Sequence, residues 1–157
     1  MRTLIDKHVF NIIIASRYAI INMLTKTSKQ LINALIELAK LPEGEWLGVG
    51  VIAARIKAPQ NYLGKMLQGL VSTGLVVSQK GLGGGFRLGK AASEITLFDV
   101  VEPIENVSVW SGCALGLKKC SDVNPCAVHY QWKVVKDQYL NFLKKTTISS
   151  LNNVSSI

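Results

Sequence analysis

Leu31, Leu35, Leu38 and Leu41 recur every three or four positions, and this rhythm predicts a helix with one buried face, with Ser28 placed to cap its start. Leu41–Glu45 (LPEGE) breaks it, since proline and glycine punctuate helices. A short second helix is expected over Val49–Ile56, carrying Val51, Ile52 and Ala53 inward. Lys57 and Ala58 make a turn, and Pro59 suits the first position of a third helix, where its missing N–H is not needed. That helix, Pro59–Thr73, would bury Leu63, Met66, Leu67 and Leu70 and stop at Gly74. The pattern then changes. Leu75–Ser78 and Phe86–Leu88 read as two short strands around a glycine-rich turn. Three short helices followed by a hairpin is the winged helix-turn-helix plan.

Downstream, Ile95–Glu102 predicts a helix capped by Thr96, with Pro103 expected to end or kink it. A loop from Asn106 leads to three cysteines, and from Ala127 one long helix is expected to about Lys145. Val128, Trp132, Val135, Tyr139 and Phe142 are spaced four, three, four and three along it, which is a heptad seam. The tail, residues 147–157, is polar and expected to be partly disordered. Residues 1–22 allow two readings: an extra helix packed on a dimer, or codons ahead of a true start at Met23.

Composition narrows the class. A hydrophobic content of 48% in 157 residues is enough for a real core in a single domain. The net charge of +8 favours an anionic partner, and its placement says more than its size. Residues 26–90 hold nine Lys/Arg against three Glu, whereas residues 91–129 hold two Lys against five Asp/Glu. The basic surface belongs to the winged-helix segment, as a phosphate-binding face requires. Gln60, Asn61 and Lys65 fall near the N-terminal end of the third helix, where side chains of these types read base edges in a major groove. Lys80 and Arg87 flank the glycine turn. No nucleophile–base pair and no paired carboxylates stand out, so an enzyme is not expected.

All three cysteines lie within 14 residues, at Cys113, Cys120 and Cys126, and His129 follows three residues after the last. Thiolate and imidazole donors at such spacings form a metal or iron–sulfur ligand set, with a Cys3His zinc site or metal-free redox thiols as competing readings. An odd cysteine count argues against a closed disulfide framework. The apolar run Val9–Ile21 is broken by Asn11 and Arg17 and is too short to span a bilayer. With no secretory pattern, the expected compartment is the reducing cytoplasm.

The segments Leu24–Lys29 (LTKTSK), Asn61–Leu63, Gly74–Val76, Lys80–Leu88 (KGLGGGFRL) and Glu94–Glu102 (EITLFDVVE) resemble, in unbroken order, the iron–sulfur cluster regulator family of bacterial winged-helix repressors. The resemblance covers about Met23 to Asn153. It implies a homodimer on a roughly palindromic double-stranded DNA operator. Gln60, Asn61 and Lys65 would face bases, and Ser28, Lys29, Lys80 and Arg87 would contact DNA around them. It also implies an iron–sulfur cluster on Cys113, Cys120, Cys126 and His129, with 2Fe-2S favoured because Thr27–Gln30 offers no carboxylate for a 4Fe-4S type, though the longer gap between Cys113 and Cys120 leaves that type open. The implied layout is a winged-helix domain over 23–105, a cluster-binding loop over 106–126 and a dimerisation helix over 127–146. Two departures stand out: Gly64 where many members carry an acidic residue, and Leu82 in place of the wing proline. The reading from another class is a small redox protein that carries a cluster or zinc and binds no DNA.

Overall fold

The computed structural model describes residues 23–152. Both expectations for residues 1–22 therefore lie outside the described residues. The architecture is mainly α with one small hairpin. Its order is α1 (Lys26–Ala39), α2 (Val49–Arg55), α3 (Gln60–Val71), β1 (Val76–Gln79), β2 (Gly85–Leu88), α4 (Leu97–Glu105), α5 (His129–Lys145) and α6 (Ile148–Asn152), with single 3-10 turns at Ala92–Glu94 and Val107–Ser111.

Helix α1 is the axis of the core. Its leucines Leu31, Leu35 and Leu38 are buried along with Ala34, as the three- and four-residue spacing predicts, and they share one core with Leu63, Leu67 and Leu70 of α3. Burying apolar surface of this kind supplies most of the favourable free energy of folding, about 25 cal/mol per Å2. The helix is capped by Thr25, whose Oγ1 accepts from the Ser28 amide at 3.2 Å; the expectation that Ser28 is the cap is corrected. Ser28 instead sits one turn inside the helix and is fully buried.

Helices α2 and α3 meet at a turn in which Lys57 takes a left-handed φ of 53°, and Pro59 immediately precedes α3. Gly74 follows with φ 72° and starts the hairpin, whose strands pair antiparallel with Val76 opposite Leu88 and Gln79 opposite Gly85. Leu47 adds a bridge to Phe86, with backbone bonds of 3.0 and 2.9 Å, and so ties the wing to the segment before α2. Gly85 is required there: a Cβ would run into the Leu47 carbonyl.

Thr96 caps α4 in a reciprocal capping box with Asp99. Pro103 does not end the helix. It continues to Glu105, and Asn106 terminates it in the left-handed region at φ 49°. The chain then crosses the Val107–Ser111 turn into the cysteine loop and returns along α5. Of the tail expected to be partly disordered, residues 147–152 are ordered, and residues 153–157 lie outside the described residues. Leu97 donates to the Thr146 carbonyl and Ile148 to the Ile95 carbonyl, both at 2.9 Å, and these bonds place the buried Ile148 of α6 against the core. One apolar anchor and two backbone bonds outweigh the polar composition of the segment.

Candidate DNA interface and cysteine loop

Gln60, Asn61 and Lys65 stand exposed on the first turns of α3, as the sequence predicts. The Gln60 side-chain amide lies over Gly50, and a Cβ at Gly50 would come within 3.2 Å of its Oε1. Gly64 faces α2, where a Cβ would make ordinary van der Waals contact with Val49 at 3.6 Å, so packing of the two helices does not itself demand glycine at the position that departs from the resemblance. Tyr62 is exposed and its hydroxyl bonds Thr27 Oγ1 at 2.8 Å, which joins the reading helix to the start of α1. Lys80 is exposed at the wing. Arg87 is half-buried, and its guanidinium stacks on Trp46 at 4.6 Å from the ring centroid while Nε has no partner. Lys29 is half-buried on the first turn of α1. Ser28, the remaining expected DNA contact, is buried beneath the surface with its hydroxyl 3.4 Å from Thr25 Oγ1, so it has no route to a phosphate.

The cysteine loop is built differently. All three thiols are half-buried and unbridged. The three cysteines and His129 come together as two pairs. Cys113 has Cys126 beside it, and Cys120 Sγ lies 3.4 Å from His129 Nδ1. Among the described residues no three His, Cys, Asp or Glu side chains converge on one point. The backbone N–H groups of Leu117 and Leu115, aided by the neighbouring Cys126, hold the Cys113 thiol below the ordinary cysteine range. Amides aimed at sulfur favour thiolate, the form that binds iron or zinc.

His129 is buried at the start of α5, and its amide donates to the Cys126 carbonyl at 3.0 Å, so Cys126–His129 forms one tight turn. Its second ring nitrogen, Nε2, lies 2.9 Å from Asp122 Oδ1. Lys133, one helical turn on, grips the same carboxylate with Nζ at 2.9 and 2.7 Å from its two oxygens. Lys133 and then His129 hold the Asp122 carboxyl down to about 2. The donor set Cys3His, with imidazole backed by a carboxylate, fits a metal or iron–sulfur group in residue type.

Just upstream of Cys113 the loop is pinned to α5. Trp132 Nε1 donates to the Gly112 carbonyl at 2.8 Å and Lys136 Nζ to the Ser111 carbonyl at 3.0 Å. Trp110 stacks on Trp132 with centroids 5.5 Å apart and tilts against Tyr139 at 5.1 Å. Tyr139 then donates its hydroxyl to the Met23 carbonyl at 2.7 Å. Two residues on, Thr25 donates from both N and Oγ1 to Glu105, at 2.9 and 2.8 Å. Burial, then the Glu105 charge, pushes the Tyr139 hydroxyl above its ordinary value. The sequence pattern did not identify Asp122, Lys133, Trp110 or Glu105; an acidic residue inside a cysteine window seven positions before a candidate histidine was the available signal for the first.

Three helices with a hairpin wing, presenting polar side chains on the exposed start of the third helix, define a winged-helix DNA-binding regulator. The chain belongs to the Rrf2 family, described as iron-dependent transcriptional regulators, whose family model matches residues 24–153. An HTH-type transcriptional regulator of Aquifex aeolicus is 38% identical over 125 residues, covering 77% of this chain and 87% of that one. The HTH-type transcriptional regulator IscR of Escherichia coli is 29% identical over 130 residues, covering 83% and 80%. Among solved structures, CymR (YrzC), the global cysteine regulator of B. subtilis, superposes with a TM-score of 0.69 at 22% identity, covering 85% of this chain and 98% of that one. T. potens IscR does so with 0.65 at 20%, covering 82% and 84%. At those identities the two structures establish the fold alone. The chain is thus a DNA-binding transcriptional regulator and not an enzyme, and the reading without DNA binding is overturned. No described helix is long and apolar enough to cross a membrane.

Proposed function

We propose that this regulator works in the cytoplasm as a homodimer and senses iron–sulfur status, or an oxidant such as nitric oxide that destroys clusters, through an iron–sulfur cluster held by Cys113, Cys120, Cys126 and His129. One observation carries this reading. Cys113 beside Cys126, and Cys120 beside His129, put all four donors into two pairs on a single loop against the start of α5. Similarity to IscR supports the same reading, with 2Fe-2S favoured. When bound, the cluster would supply a centre sensitive to redox change and nitric oxide.

The chain's own residues would transmit its state. Gly112, next to Cys113, is held by Trp132, and Trp132 reaches Met23 through Trp110 and Tyr139. A displaced loop therefore alters contacts that end at the start of α1, the helix that carries Lys29 and backs α3. Dimerisation would use the outer face of α5, where Val128, Val135 and Phe142 lie seven residues apart and remain exposed. In such a dimer each α3 would enter one operator half-site with Gln60, Asn61 and Lys65 toward the bases, while Lys29, Lys80 and Arg87 meet phosphates or the minor groove.

Iron, acid-labile sulfide and zinc content of anaerobically purified protein, with its visible absorption spectrum, tests the cluster. Iron and sulfide in matching amounts are expected. Zinc without sulfide would make the loop a structural Cys3His site and end the proposal.

A further inference from the structure

The loop contains a charged residue that the ligand set does not use. Asp122 is exposed, yet its carboxylate is held from two sides by residues one turn apart on α5: Oδ1 lies 2.9 Å from His129 Nε2, and both oxygens bond Lys133 Nζ. A residue on an open loop has many places to put its side chain, and three contacts to one helix face fix this one.

The consequence is for the imidazole. A carboxylate can only accept, so a neutral His129 facing Asp122 must carry its proton on Nε2. Nδ1 is then left with a free lone pair, and it is the nitrogen that faces Cys120 Sγ at 3.4 Å. The ring is otherwise buried, with the Tyr130 ring edge-on 5.1 Å away, so it cannot turn over without losing both contacts.

We infer that Asp122, braced by Lys133, is a positioning residue that selects the Nε2–H tautomer of His129 and so presents Nδ1 as the fourth donor of the cysteine loop. This rests on the cluster reading above, and it assigns to an acidic loop residue a role that the ligand set alone does not contain. Outer carboxylates of this kind orient metal-binding histidines, and their loss generally weakens metal retention about 10- to 100-fold.

Two measurements on Asp122→Ala and Asp122→Asn, beside wild type, test this. In reduced, metal-free protein, 15N NMR of the His129 ring is expected to show one tautomer, Nε2–H, in wild type. It should show a tautomer mixture in Asp122→Ala and recover the single tautomer in Asp122→Asn, whose amide oxygen can still accept. After anaerobic reconstitution with iron and sulfide, Asp122→Ala is expected to lose its visible absorption in air at least tenfold faster than wild type, and Asp122→Asn to restore most of the difference. The thermal midpoints of the three metal-free proteins should agree closely, since the Asp122 side chain is itself 61% exposed. If wild type and Asp122→Ala share one tautomer, one visible circular dichroism spectrum and one rate of cluster loss, the role of Asp122 is overturned while the cluster reading stands. If wild type takes up no iron and sulfide, the cluster reading falls and the role of Asp122 toward it falls too, whatever the tautomer.

Discussion

The reading head and the cysteine loop are neighbours of unlike construction. Between Thr25 and Glu105, apolar side chains from α1, α2, α3, the hairpin and α4 close into one core in which Leu35, Ile52, Leu63, Leu67 and Val100 are completely buried. Between Gly112 and Val128 the chain turns its apolar residues outward, with Val123 at 95% exposure and Leu115 at 60%. The head is held by burial, and the loop by a few polar contacts to α5. A regulator gains from this division. The surface that reads DNA needs one fixed shape, while the segment that senses must change its contacts at little cost to the fold.

The largest expected effect separates the two directly. Leu35→Ala in the head should destabilise the metal-free protein by about 2–5 kcal/mol, because it empties a closed site. Cys113→Ser should change the same unfolding midpoint hardly at all while abolishing iron and sulfide binding. Equal losses of stability in denaturant titrations would erase the distinction.

Next in size are the contacts to DNA. Gln60→Ala and Asn61→Ala should each cost about 1–3 kcal/mol on the preferred operator and relax its sequence preference. Lys80→Ala should weaken binding evenly across sequences and reduce the salt slope by about one unit. Affinities measured on operator and scrambled duplexes over a salt series check both.

Between head and loop stands Tyr139. Its substitution Tyr139→Phe removes the bond to the Met23 carbonyl and should lower stability by about 1 kcal/mol. It should also reduce the difference in DNA affinity between loaded and metal-free protein. Fluorescence anisotropy of the variant in both states reads that difference.

The smallest effect belongs to the surface of the head. Lys40, followed by Arg55, holds Glu37 below the ordinary value of 4.5. The stabilisation is therefore complete above that value and lost as pH falls through the depressed one. With half-exposed partners it amounts to about 0.5 kcal/mol. Glu37→Gln should lower the midpoint slightly at pH 7 and by less at pH 3, as thermal melts at the two pH values would show.

The same division explains what was legible beforehand. Helix α1, the α2–α3 pair, the hairpin and α5 each announce themselves through periodicity or glycine placement, because burial on one face imposes that pattern locally. Ser28 was misjudged because a serine near a helix start serves equally as cap or as small buried residue, and the choice depends on what packs over it. Pro103 was expected to end or kink its helix, and the helix runs on for two residues to Glu105 before Asn106 stops it in the left-handed region. The tail order rests on Thr146, Ile148 and partners about 50 residues earlier, which no local pattern records. In the loop, the residue types of the ligand set were plain, but the Asp122–His129–Lys133 contacts were not, since three polar residues meet only after α5 forms. The link from Thr25 to Glu105 spans 80 residues and likewise has no periodic signature.

The central claim is that the state of the cysteine loop sets the affinity of the reading head for DNA. Its most direct test uses duplexes selected from a random pool by the loaded protein. Binding to them is then measured with loaded protein, with the same protein stripped of iron, and with Cys113→Ser. A difference of tenfold or more between loaded and stripped protein is expected, with Cys113→Ser matching the stripped form. Identical affinities for all three would leave a DNA-binding protein whose cysteine loop senses nothing, and would contradict the account.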